Sequence, residues 1–121
     1  MGVGYFLDSY AVIEFLKSNP AYEKYFNSAG MLTYANLMEI CYSVMEHGEN
    51  AAEEVFQALW HLVVEPTAAE IFESVRFRKK HAKKRLSYAD CLGYCMAQNR
   101  GFLFLTGDQQ FKGMKNVIFV K

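Results

Sequence analysis

Four carboxylates, Asp8, Glu39, Asp90 and Asp108, stand where predicted strands end or helices begin. They are far apart in sequence, so only a fold can bring them together. Two unit charges 4 Å apart cost about 4 kcal/mol at an effective dielectric of 20. A fold that gathers four must protonate one of them or recruit a divalent cation. Oxygen-only donors suit a hard ion, Mg²⁺ or Mn²⁺, which keeps several waters and also binds phosphate oxygens. Such an ion polarises a phosphoryl group, acidifies a bound water and steadies a leaving oxygen. That chemistry points to phosphodiester hydrolysis. Zinc has no support: His47, His61 and His81 are widely spaced, and Cys91 and Cys95 have no partner pair.

Each acid also has a purely structural reading. Asp8 and Asp108 are good helix N-caps. Asp90 completes a Ser87-x-x-Asp90 capping box, and Glu39 stands in the same relation to Asn36. What sets these four apart is that all fall at one predicted edge of the sheet. Glu46, Glu49, Glu53, Glu54, Glu70 and Glu73 read instead as acids on solvated faces.

The strands and helices that carry these acids are legible from periodicity. Val3 to Leu7, Leu62 to Glu65, Phe102 to Leu105 and Val117 to Val120 read as short apolar strands, with a weaker one at Gly30 to Thr33. Helices are predicted over Ser9–Lys17, Tyr34–His47, Asn50–Trp60 with Asn50 as cap, Thr67–Leu86 and Ser87–Asn99. Tyr22 to Phe26 gives a further turn or two, and Asn19-Pro20, Gly48 and Gly101 act as breaks. Continuous apolar strands alternating with helices predict a three-layer α/β/α sandwich with a mostly parallel central sheet, as one domain over 1–121. Ligands of such sheets gather outside the carboxyl ends of the strands.

Composition agrees with that size of core. The 121 residues are 52% hydrophobic and 16% aromatic with two prolines, which excludes disorder and collagen-like repeats. No apolar run approaches the roughly 20 residues of a membrane helix. No basic-then-apolar leader opens the chain, and the three cysteines, Cys41, Cys91 and Cys95, do not suggest a disulfide framework; a reducing cytoplasm is expected. Net charge is zero, but residues 1–73 carry eleven of the thirteen acids and residues 74–121 eleven of the thirteen bases. The basic half can face a polyanion.

The motifs YFLDSYAVIEFL, TYANLMEI and LSYADCLGYCMAQNRGFLFLTGDQQF together resemble the PIN domain family, the metal-dependent ribonuclease fold that includes VapC-type toxins. The last block is the most specific: an acid early in a helix, an apolar strand, then T-G-D-x-x-F. The resemblance spans essentially the whole chain. It implies that Asp8, Glu39, Asp90 and Asp108 form an acidic pocket for one or two Mg²⁺ or Mn²⁺ ions. It also implies that the hydroxyls of Ser9 and Thr106 orient carboxylates or a phosphate, where either residue equally suits a turn, and that Asn36 hydrogen-bonds a carboxylate or a metal-bound water, where it equally suits a helix cap. Some relatives carry another acid just after the fourth; here Gln109 and Gln110 stand there, which puts a second metal in doubt.

Residues 76–85 hold seven cations: Arg76, Arg78, Lys79, Lys80, Lys83, Lys84 and Arg85. On a continuous helix, Ile71, Val75, Ala82 and Leu86 form an apolar stripe and the cations point outward. They are either a solvated surface or a sequence-independent, salt-sensitive track for RNA phosphates beside Asp90. Cys91 and Cys95 read as small buried residues. Tyr5, Phe6, Phe15, Tyr22, Tyr25, Phe26, Tyr42, Phe56 and Trp60 read mainly as core, with some available for a partner surface. The expectation is a Mg²⁺-dependent endoribonuclease of the VapC type. Resemblance supplies its cognate antitoxin and homodimer. The rival reading is a non-catalytic PIN-like module that binds RNA or a protein.

Overall fold

A computed structural model describes residues 4–27 and 29–121. Val3, included in the first apolar run, lies outside them. Four strands, β1 (Tyr5–Leu7), β2 (Gly30–Met31), β3 (Leu103–Thr106) and β4 (Val117–Phe119), form one sheet in the order β2-β1-β3-β4. Every pairing is parallel, as the apolar strands separated by helices predict. The helices are α1 (Ser9–Leu16), α2 (Tyr34–Val44), α3 (Glu49–Leu59), α4 (Ala68–Lys80) and α5 (Tyr88–Asn99). Short 3₁₀ segments follow α1, α2, α3 and β3.

Alternation along the strands sends side chains to two cores. Phe6 and Phe104, paired in register and stacked with centroids 5.7 Å apart, face α5 with Tyr94, Met96 and Ala97. Their neighbours Leu7 and Leu105, also paired, face the other way onto Ala11, Val12, Leu37 and Ile40. The sheet is thus covered on both sides, and the three-layer α/β/α expectation holds. Gly93 permits the close approach of α5: a Cβ there would stand 2.6 Å from Cε1 of Phe6.

Several sequence-based boundaries move. The helix predicted to reach Leu86 ends at Lys80, and His81 leaves the helical region at φ −107°, ψ 36°. A continuous helix would have aligned like charges at three- and four-residue spacing, which is unfavourable; the turn instead lets Leu86 drop into the core at 4% exposure. The predicted apolar stripe is not the packed face. Ile71 and Val75 are each 48% exposed, while Glu70 and Ser74 are buried. Glu70, expected on a solvated face, accepts from Arg100 Nη2 and Nε at 2.8 and 2.9 Å and from Asn99 at 2.8 Å. Those charge-assisted bonds hold its carboxyl down at about 2, against the penalty of burial.

Gly48, not Asn50, caps α3, because the backbone there needs φ 108°, a region that glycine adopts without penalty. Leu62–Glu65 is not a strand: it contributes a single bridge, Leu32 to Val63, before Pro66, which has no N–H to continue a ladder. Tyr42, Phe56 and Trp60 are 84%, 38% and 50% exposed on the α2–α3 side rather than in the core. Among the described residues no helix is long and apolar enough to cross a membrane.

Candidate active site

The strand order fixes where a ligand can sit. From β1 the chain crosses to β2 on one side; from β3 it crosses to β4 on the other. The crevice between β1 and β3, at their carboxyl ends, is therefore the switch point at which open parallel sheets bind ligands. Asp8 follows β1 directly and Asp108 follows Thr106, the last residue of β3, by two. Helix α5 feeds β3, so its N-terminus, with Asp90 in the first turn, lies at the same edge. Helix α2 leaves β2 there and carries Asn36 and Glu39.

Hydrogen bonds hold these side chains in two groups. In the first, Thr106 Oγ1 donates to Asp8 Oδ2 at 2.7 Å and accepts from the Asp108 N–H at 3.0 Å. One hydroxyl thus joins the ends of two strands. Asp108 Oδ1 accepts from the Gln110 N–H at 3.0 Å. Asp90 closes the predicted capping box: Oδ2 accepts from the Ser87 N–H at 2.9 Å, and Ser87 Oγ accepts from the Asp90 N–H at 3.0 Å.

In the second group, Ser9 Oγ donates to Glu39 Oε1 at 2.5 Å and accepts from Asn36 Nδ2 at 2.9 Å. Asn36 Oδ1 accepts in turn from the N–H and hydroxyl of Thr33, at 3.1 and 2.8 Å. Asn36, rather than Glu39, is therefore the capping-box partner, and its cap is Thr33. Its amide nitrogen remains free to hold Ser9, so the two alternatives for Asn36, cap and site support, coexist in one side chain.

Electrostatics distinguish Asp8. It is 4% exposed, and burial pushes its carboxyl up to about 7, with the charges of Asp90 and Asp108 adding to the rise and the Thr106 hydroxyl opposing it. Asp90 is also raised, first by burial and then by Asp108, against the lowering effect of its bonds from Ser87. The three aspartates thus act on one another through space, whereas Glu39, an exposed residue, is tied to the edge through Ser9. As their side chains are placed, no three His, Cys, Asp or Glu groups among the described residues converge closely enough to hold a metal ion together. The donors at this edge are nevertheless all hard oxygens. A Mg²⁺ ion bound through one or two carboxylates and completed by water does not require a three-ligand cage.

The basic segment meets this edge through a residue that no sequence pattern singles out. Gln110 Nε2 donates to Arg85 O at 2.8 Å, and the Arg85 N–H donates back to Gln110 Oε1. Lys84 Nζ donates to Gln110 O at 2.7 Å. Gln110 therefore staples the turn after α4 to the segment that carries Asp108. In sequence it marks only the place of a missing acid; nothing local announces a bond 25 positions away. Of the other cations, Arg76 pairs with Glu73 at 3.3 Å, and Arg78 Nε donates to Leu86 O at 3.1 Å. Lys79, Lys80 and Lys83 are exposed.

The PIN domain family model matches residues 5–117. No curated protein matches the chain significantly. Among solved structures, the chain resembles VapC20 of Mycobacterium tuberculosis, a sarcin-ricin loop cleaving toxin, with a TM-score of 0.76 and 15% identity over 97% of this chain and 98% of that one. It resembles a toxin–antitoxin complex from Klebsiella pneumoniae with a TM-score of 0.75 and 14% identity, over 94% and 95% of the two chains. VapBC2 of Rickettsia felis, bound to a DNA fragment from its promoter, gives 0.71 and 16% over 97% of each. These TM-scores establish a shared fold, and at identities this low the likeness extends to the fold alone.

Proposed function

The chain belongs to the PIN domain family, and from that membership we propose that it is a Mg²⁺- or Mn²⁺-dependent endoribonuclease, the toxin of a VapC-type pair. The observation that carries this reading is the placement of buried Asp8 at the switch point of the sheet, joined through the Thr106 hydroxyl to the Asp108 backbone and with Asp90 at the same edge; burial raises the Asp8 carboxyl there. Core stability does not call for a buried acid at the same edge as two others, and perturbed acids in a crevice are a mark of chemistry.

In this reading Asp8, Asp90 and Asp108 offer the oxygen donors for the ion, and Glu39 completes the site. When bound, the ion would polarise the scissile phosphate and acidify a water. The chain's own residues set the geometry. Thr106 holds Asp8 Oδ2 and the Asp108 backbone at fixed separation; the Ser87 cap turns Asp90 toward the edge. Ser9, oriented by Asn36, presents Glu39, whose carboxylate accepts the proton of the attacking water. Arg76, Arg78, Lys79, Lys80, Lys83, Lys84 and Arg85 hold the RNA backbone beside Asp108. Because the structural neighbours include toxin–antitoxin complexes, a cognate antitoxin belongs to the same proposal; a homodimer and a cytoplasmic setting are proposed with it from the family resemblance alone.

The test is cleavage of structured RNA with Mg²⁺ or Mn²⁺, repeated in EDTA and with Asp8→Asn. Activity that requires the metal and Asp8 supports the reading; cleavage indifferent to EDTA, or none of any RNA with either ion, overturns it. The exposed Tyr42, Phe56 and Trp60 favour a second reading, a non-catalytic RNA- or protein-binding module. That module would bind equally well after Asp8→Asn and gain no thermal stability from Mn²⁺.

A further inference from the structure

Resting on the ribonuclease reading, we propose that Tyr88 is a stacking platform for one base of single-stranded RNA, with Lys79 and Lys84 taking the adjoining phosphate. Tyr88 opens α5 immediately after the Ser87 cap and is 66% exposed, on a helix that is otherwise largely buried. One face of its ring carries the Arg78 guanidinium, 4.2 Å from the ring centroid. That guanidinium is itself held by Leu86 O at 3.1 Å. The ring is therefore fixed from one side before any ligand arrives, and its exposure leaves surface for a second partner.

Tyr88, Arg78, Lys79 and Lys84 line a concavity of about 300 Å³ whose lining contains no acid among the described residues. Aromatic faces flanked by cations suit an unstacked base and its phosphate, because every base has a π-face and stacking adds to the charge attraction. One lining residue of the concavity also connects to the acidic edge. Lys84 bonds to Gln110 O, and the Gln110 N–H bonds to Asp108. A nucleotide seated on Tyr88 would thus lie on the path from the basic turn to the carboxylates. A flat or apolar protein partner would not call for three cations around one tyrosine.

The test is fluorescence anisotropy of a labelled single-stranded RNA oligonucleotide with the full chain in EDTA, where metal-dependent cutting is silent. Tyr88→Ala is expected to weaken binding about tenfold or more while leaving the salt slope unchanged. Tyr88→Phe, which keeps the π-face, should restore affinity to within about twofold. Lys84→Gln should instead lower the log–log salt slope by about 1. Unchanged affinity in Tyr88→Ala, or equal loss in Tyr88→Phe, overturns the platform, as does failure of the wild-type chain to bind RNA. Cleavage is read separately in Mn²⁺. Tyr88-dependent binding with no cleavage would sink the nuclease reading and leave the platform standing; cleavage with Tyr88→Ala binding normally would do the reverse.

Discussion

The Thr106 hydroxyl donates to Asp8 Oδ2 at 2.7 Å, joining residues 98 positions apart across the paired strands β1 and β3. The same oxygen accepts the Asp108 N–H. A residue at the end of a strand thereby sets the spacing of two acids and relieves part of the cost of burying one of them.

Removing that hydroxyl tests its role. Thr106→Val keeps the shape and deletes the bond that lowers the Asp8 pKa. Cleavage should fall roughly 10–100-fold, the range seen when groups that orient metal ligands are lost. The acid limb of the pH–rate profile should move to higher pH, and Thr106→Ser should recover most of the loss. An unchanged profile would assign Thr106 to packing alone.

Asp8 gives a stability prediction with a definite sign. Its folded carboxyl is raised to about 7, whereas an unfolded Asp titrates near about 3.9. The folded chain therefore holds a proton that the unfolded chain releases, and stability declines as pH rises between those values. Asp8→Asn should raise Tm by on the order of a few degrees in EDTA at pH 8 and change it little at pH 4. Mn²⁺ should raise the wild-type Tm and leave the variant's unchanged.

Glu70 runs the opposite way. Its folded carboxyl lies at about 2 because Arg100 and Asn99 donate to it, below the unfolded value of about 4.3. Its stabilisation is complete above the unfolded value and is lost as pH falls toward 2. Glu70→Gln should cost about 1–3 kcal/mol at pH 7, a range that allows for the partial solvent exposure of Arg100. Denaturant titrations at pH 7 and pH 3 should show the gap from wild type shrinking in acid. RNA cleavage should be unaffected at temperatures where the variant stays folded.

Gly93 marks how tightly α5 sits on the sheet. A methyl group there meets the Phe6 ring at 2.6 Å and Phe104 at 3.2 Å. Gly93→Ala should destabilise by roughly 1–3 kcal/mol through overpacking, even though alanine is the better helix former. A neutral or stabilising result in a denaturant titration would show that the stacked rings can move aside.

Features that arise from local patterns were written in the chain itself. Apolar strands between helices specified a parallel, doubly covered sheet; Ser87-x-x-Asp90 closed as a capping box because its bonds span three residues. Asp8, Asp90 and Asp108 could be marked as edge residues because strand ends are legible. Features that depend on partners distant in the chain emerged only on folding. Folding buried Glu70 against Arg100, ended α4 at Lys80 so that Leu86 could enter the core, and left Asn36 both a cap and Ser9 to hold. It also used Gln110 to fasten the basic turn beside Asp108. A side chain's type limits which bonds it can make, but burial and the approach of remote backbone select the ones that form.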